Sequence, residues 1–161
     1  MEIKYVKGDL IELAKKGEFE VIIHCCNCFN TMGAGIAKTI RDEFPEAYLK
    51  DKNTIKGDRS KLGTYNSVTI KKYPKPFFVV NLYGQYDFKV NNGPNINYVA
   101  LAEGLLQIKK DFTGLKFGLP KIGAGLAGGS WTVIEAILLA TLKDEDVTVV
   151  DYQPIAKEVN E

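Results

Sequence analysis

The chain has 161 residues, which suits one domain with one core, expected over residues 1–161. Hydrophobic residues at 45% and charged residues at 25% are the balance of a globular protein, and a net charge of +1 offers no broad basic field for neutralising nucleic-acid phosphates. No apolar run reaches membrane-spanning length, and Met1-Glu2-Ile3-Lys4-Tyr5 alternates like a strand without an apolar signal core, so a cytoplasmic protein is expected.

Ile3–Lys7 reads as a short strand and Leu10–Lys16 as a short helix, with Asp9 as its N-cap. Val21-Ile22-Ile23 leads a buried strand running to Cys26. Gly35–Phe44 is helical, because Ile36, Ala37, Ile40 and Phe44 recur at three- and four-residue spacings. Pro45 suits the first turn of a restarted helix. Leu62–Tyr73 and Phe77–Leu82 read as strands joined across Pro74 and Pro76, with Lys71, Lys72 and Lys75 at the solvated end of the hairpin. Phe77-Phe78-Val79-Val80 is apolar on both faces, as an interior strand is. Ile96–Phe112 is helical, Lys116–Leu119 a strand, Ser130–Leu142 a helix and Val147–Val150 the last strand. This alternation predicts an α/β fold: a mostly parallel sheet covered on both faces by helices.

Two glycine-rich segments fall between a strand and a helix, where open α/β sheets bind ligands. They are Met32-Gly33-Ala34-Gly35-Ile36-Ala37 and Lys121-Ile122-Gly123-Ala124-Gly125-Leu126-Ala127-Gly128-Gly129. Glycine lets backbone approach a ligand closely, and a following helix adds free N–H groups and a positive dipole end. Two such loops facing each other can cradle a diphosphate. Gly123, Gly125 and Gly128 also fit Gly-x-Gly-x-x-Gly, but about one strand remains after them, too few for a dinucleotide-binding unit of the Rossmann type. No Gly-Lys-Ser/Thr follows, which removes a P-loop.

Cys25, Cys26 and Cys28 are crowded and odd in number, which argues for reduced thiols rather than disulfides. Together with His24 they invite a metal, yet neighbours on a strand point to opposite faces and no second ligand pair exists. Neither a metal nor a cofactor is expected. His24 reads as a hydrogen-bonded core histidine, or as a group close enough to the ligand to assist catalysis.

Gly8-Asp9-Leu10, His24-Cys25-Cys26-Asn27, Met32–Ala37 and Pro120-Lys121-Ile122-Gly123-Ala124-Gly125-Leu126, in this order and spacing, resemble the motifs of a macrodomain. The resemblance runs from about Tyr5 to Tyr152 and is nearest to the small bacterial and phage macrodomains described as ADP-ribose 1''-phosphate phosphatases. The terminal ADP-ribose protein glycohydrolase is in the same branch. It implies a three-layer α/β/α fold around a central mixed, mostly parallel sheet of about six strands. It also implies ADP-ribose or ADP-ribose 1''-phosphate as ligand. Gly8, Asp9 and Leu10 would meet the adenine, with Tyr152 against the ring. Asn27 would contact the distal ribose. Met32, Gly33, Ala34, Gly35, Ile36 and Ala37 would wrap that ribose and its phosphate. Ile122, Gly123, Ala124, Gly125, Leu126 and Ala127 would wrap the diphosphate.

The glycohydrolase route needs a lysine after the central strand and an aspartate in the second loop. This sequence has Asn81-Leu82-Tyr83-Gly84-Gln85 and Ala127 there. A phosphatase needs less: anion-stabilising N–H groups, an oriented water and a proton for the leaving oxygen. Asn27, His24 and Asp87 are its candidate catalytic residues, with Gln85 a further one. The alternatives are a non-catalytic ADP-ribose-binding module and an ADP-ribosyl hydrolase acting on modified protein or nucleic acid. A monomer without nucleic-acid or membrane partners is expected, in the host cytoplasm if phage-encoded.

Overall fold

The computed structural model describes residues 1–89, 95–125 and 127–154. Strands and helices alternate along it. β1 (Lys4–Gly8) leads to α1 (Leu10–Lys15) and β2 (Val21–Cys26), followed by α2 (Gly35–Glu43), α3 (Pro45–Lys52) and a 3-10 turn at Arg59–Lys61. β3 (Tyr65–Ile70), β4 (Phe77–Tyr83), α4 (Tyr98–Phe112), β5 (Lys116–Leu119), α5 (Trp131–Thr141) and β6 (Asp146–Tyr152) complete it. The strands form one six-stranded sheet in the order β1-β6-β5-β2-β4-β3. Every neighbouring pair is parallel except the β3–β4 hairpin. No helix among the described residues is long and apolar enough to cross a membrane.

β6 is longer at both ends than the expected Val147–Val150, several other bounds shift by a residue, and two boundaries move for a clear local reason. β3 is shorter than Leu62–Tyr73, because Asp58 caps the 3-10 turn (its Oδ1 accepts from Ser60 N at 2.9 Å) and the chain then turns at Gly63. Helix α4 starts after Ile96, which instead bridges to Gln85; Asn97 Oδ1 accepts from Ala100 N at 3.0 Å and sets the N-cap.

The period-2 alternation of the strands divides the core into two layers. Val21 and Ile23 of β2 face Leu101, Leu105, Ile134 and Leu138 of α4 and α5. Ile22 faces the other way, into a cluster with Leu10, Ile11, Ile40, Phe44 and Ala47 from α1, α2 and α3. Burial of these aliphatic and aromatic side chains, each worth about 1.5–3 kcal/mol, holds both helical layers to the sheet.

Beneath α3 the sheet carries a buried polar chain. Asn81 of β4 donates to Ala47 O at 3.0 Å and to Asn66 Oδ1 at 2.9 Å, and its Oδ1 lies 2.6 Å from His24 Nε2. Asn66 donates to the Tyr83 hydroxyl at 3.0 Å, which donates to Asp51 Oδ1 at 2.7 Å. Since both Asn81 amide hydrogens are used, its oxygen must accept from His24, fixing a neutral Nε2–H tautomer. The Cys26 thiol is 3.8 Å from Nδ1.

His24 is therefore a hydrogen-bonded core histidine, fully buried and outside the residues that line the cavity described below. Cys25, next along β2, packs instead against the α4–α5 layer. Among the described residues no group of three or more His, Cys, Asp or Glu is placed to hold a metal.

Burial holds the His24 pKa down at about 4, against an ordinary 6.5, with the Asn81 hydrogen bond opposing the shift. As pH falls from 6.5 toward 4 the unfolded chain gains a proton that the folded chain refuses, so stability is lost through that window. At about 1.4 kcal/mol per pH unit the loss is on the order of 3 kcal/mol. The midpoint of thermal unfolding should fall more steeply between pH 7 and pH 4 in the wild type than in His24→Asn. Parallel curves would mean that folded His24 accepts the proton.

Candidate functional site

The β2–β5 ladder comprises only Val21 with Phe117 and Ile22 with Gly118. β2 then runs on to Cys26 while β5 stops at Leu119, so their carboxyl ends part. A crevice outside the carboxyl ends of strands is where open α/β sheets hold ligands. Here a cavity of about 710 Å³ opens, lined by Cys25, Cys26, Asn27, Thr31, Gly33–Ala37, Gln85, Phe88, Pro120–Gly123, Gly125 and Ala127.

The first loop enters this crevice under firm constraint. Cys28 N donates to Tyr86 O at 2.9 Å and Gly57 N to Cys28 O at 2.7 Å. Asn30 holds a left-handed φ of 57°, and its side chain is fixed by Thr54 O at 2.8 Å and by buried Lys61 at 2.7 Å. Asn27 closes the turn: its Oδ1 accepts from Phe29 N at 2.8 Å, and its Nδ2 donates to Thr31 Oγ1 at 2.8 Å and Thr31 O at 3.2 Å. Helix α2 then starts at Gly35, at a φ of 58° that favours glycine. It has neither a side-chain cap nor an acidic residue in its first turn. Its first residues, Gly35, Ile36 and Ala37, line the cavity, so the positive end of the helix is directed there.

The second loop is tied back on itself and to the segment that precedes α4. Gly129 N donates to Gly123 O at 2.8 Å, and Asn95 N to Ala127 O at 2.8 Å. Gly123 has a φ of 74°, and a Cβ there would stand 2.8 Å from Ile96 Cδ1, so the fold itself requires glycine. Gly33 and Gly125 differ: a Cβ at either would meet no atom of the described residues within 4 Å beyond its own chain neighbours, although both line the cavity. Packing within the chain does not demand a glycine there. Leu126 lies outside the described residues.

Several expected site residues stand outside the enclosed cavity. Met32 packs into a core with Cys26, Cys28 and Tyr83. Ala124 packs against the α4–α5 core. Gly8, Asp9, Leu10 and Tyr152 sit at the carboxyl ends of β1 and β6, on the same edge of the sheet but beyond the cavity wall. There Asp9 caps α1, its Oδ1 accepting from Ile11 N at 2.9 Å and Glu12 N at 3.2 Å. Leu10 is buried and Tyr152 is exposed. Asp87 is spent on its own turn, accepting from Phe88 N at 2.7 Å, and does not line the cavity.

Sequence reasoning missed several wall residues, among them Thr31, Cys25, Phe88 and Lys121. Thr31 steadies Asn27, and the Cys25 thiol forms part of the floor beside Gln85. Burial pushes the Cys25 thiol up to about 12, so it remains protonated and is no nucleophile. Phe88 ends an aromatic ledge: it meets Phe29 edge-on, Phe29 meets Tyr86 at 4.9 Å, and the Arg59 guanidinium lies 3.8 Å over the Tyr86 ring. A phenylalanine next to Asp87, in the segment after the central strand, was the available signal. Lys121 opens the second loop. Among the described lining residues there is neither a carboxylate nor a histidine.

No family model matches the chain. It is 35% identical to an uncharacterized 17.5 kDa protein from the tk-vs intergenic region of enterobacteria phage T4, over 96% of this chain and 99% of that one. It is 27% identical to the ADP-ribose 1''-phosphate phosphatase of Lodderomyces elongisporus, over 86% of this chain and 91% of that one. The solved structure of a macrodomain protein from Streptomyces coelicolor matches it with a TM-score of 0.68 at 27% identity, covering 94% of this chain and 99% of that one. A likeness in both sequence and fold, nearly end to end, leads to one conclusion: this chain belongs to the macrodomain family.

Proposed function

We propose that the protein is an ADP-ribose 1''-phosphate phosphatase, releasing ADP-ribose and inorganic phosphate. The observation that carries this reading is the crevice between β2 and β5, walled by two glycine loops and the uncapped start of α2. Such a site offers backbone N–H groups and a positive dipole end to anionic oxygens, where they act without reorganisation. The fungal relatives named for this activity support it.

A ligand with its adenine at Asp9 and its diphosphate between the loops brings its distal ribose to Asn27. Water then attacks the terminal phosphorus, the bond from phosphorus to the 1'' oxygen breaks, and a proton from the water ends on that oxygen. Asn27 positions the ribose, while the N–H groups of the first loop share the charge growing on the phosphoryl oxygens. Gln85 faces the same cavity; its Nε2 donates to Asp87 O at 2.9 Å, and its Oε1, which accepts from the Cys25 thiol at 3.8 Å, keeps a second lone pair to accept from the water. Among the described lining residues there is neither a carboxylate nor a histidine to serve as general base, so the reading implies modest turnover.

That same lack supports a second reading, a non-catalytic ADP-ribose-binding module. Removal of ADP-ribose from modified protein or nucleic acid by the lysine–aspartate route has less support, because the cavity wall has the methyl of Ala127 where the carboxylate is needed.

Incubation with ADP-ribose 1''-phosphate should release phosphate in proportion to enzyme, and Asn27→Ala should lower kcat/KM by about tenfold or more, the worth of one lost hydrogen bond to a charged or positioned group. Phosphate release no greater than in buffer, with ADP-ribose binding intact, would leave the binding-module reading.

Gly125→Val offers a separate check on the cradle. The substitution should leave the melting temperature within a few degrees of wild type, since no atom of the described residues beyond its own chain neighbours stands within 4 Å of a Cβ there. It should nevertheless weaken ADP-ribose binding by an order of magnitude or more, because a side chain keeps the diphosphate from the backbone. Unchanged affinity in calorimetric titration would place the ligand elsewhere.

A further inference from the structure

Lys121 is the one charged residue among the described residues that line the cavity. Its backbone is fixed, since its carbonyl accepts from Ala124 N at 3.2 Å as the second loop turns. Its side chain is not fixed. The ammonium stands 3.6 Å from Asp151 Oδ2, beyond ordinary hydrogen-bond length, and the two side chains are 44% and 50% exposed. Such a pair contributes little to stability and exchanges at little cost.

The sheet order places this lysine midway along the ligand path. The carboxyl ends run from β1, with Asp9 beside it, through β6 and β5 to β2, with Asn27 beyond it. Lys121 follows β5 and Asp151 lies on β6, between those two ends. A ligand stretched from Asp9 to Asn27 lays its diphosphate there. A diphosphate diester carries two negative charges, while the start of α2 offers only about half a positive charge. Most of the ligand's charge is left for a side chain to balance.

We propose that Lys121 is the counter-charge for the ligand diphosphate, and that Asp151 holds it aside until the ligand displaces it. The inference rests on the reading of this cavity as an ADP-ribose site. It gives the two partners of one ion pair opposite roles: Lys121 favours the ligand, and Asp151 competes with it for the lysine and repels the incoming phosphates. A clasp that merely shaped the loop would give both partners the same role.

Calorimetric titration of ADP-ribose into wild type, Lys121→Met, Lys121→Arg and Asp151→Asn, at low and at high salt, separates these cases. Lys121→Met should bind about tenfold more weakly, and Lys121→Arg should recover most of the loss. Asp151→Asn should bind more tightly than wild type. Added salt should weaken the wild type more than Lys121→Met, because the screened charge is missing from the variant. Equal affinities of Lys121→Met and wild type would overturn the proposal, as would equal weakening by Lys121→Met and Asp151→Asn. A folded wild type that binds no ADP-ribose would instead remove the site reading on which it rests.

Discussion

Two residue pairs, Val21 with Phe117 and Ile22 with Gly118, make up the whole ladder between the halves of the sheet, extended at its base by Glu20 N donating to Lys116 O at 2.9 Å. On the other side β2 pairs with β4 over six positions, Val21 with Phe78 through Cys26 with Tyr83. A strand so unequally held follows its longer partner and leaves the shorter one. The crevice between β2 and β5 follows from that imbalance, and both glycine loops spring from its lips. A longer β2–β5 ladder would close the gap with main-chain hydrogen bonds and leave no backbone donors for a ligand.

The floor of the crevice is made firm by polar groups rather than by aliphatic packing alone. Asn81 joins β4 to α3, to β3 and to His24 of β2 through one amide. A buried hydrogen-bonded network fixes geometry more sharply than apolar contacts do, and groups bonded within it become unavailable for other work. His24 and Tyr83 illustrate this: both carry chemistry-bearing groups near the site, and both are consumed in holding three strands and a helix in register. The cavity keeps what the frame does not use, namely free backbone, one amide pair and one exposed cation.

Much of this was legible from the sequence. The runs Val21–Cys26 and Lys116–Leu119 stand as β2 and β5 with the expected bounds, because apolar strands bounded by polar or glycine residues leave little choice. The opposite directions of His24 and Cys25 follow from period 2 alone. The two glycine loops both reach the cavity, since a strand–loop–helix connection has only one place to go. The errors lie where sequence neighbours separate in space. Met32 belongs to the first loop by sequence, yet turns into the core with Cys26 and Cys28, while Phe88 reaches the wall from a distant segment. Asp87 carries a carboxylate in the right region but turns it onto its own backbone, as short acidic side chains in turns tend to do.

Asn27 keeps one consequence in reserve. An amide is commonly credited with reading a diol from both ends, giving to one oxygen and taking from another. Here its nitrogen is committed to Thr31, and its oxygen retains one open lone pair after the bond from Phe29. Toward the ribose of the proposed ligand, what remains would be a one-way reader: it would recognise a hydroxyl by the hydrogen that group can give up, so an ether or a ketone at the same carbon would be mute to it. The turn that makes the residue rigid thus also decides the grammar of what it can recognise, and a threonine four positions away, with no contact to the ligand required of it, sets that grammar.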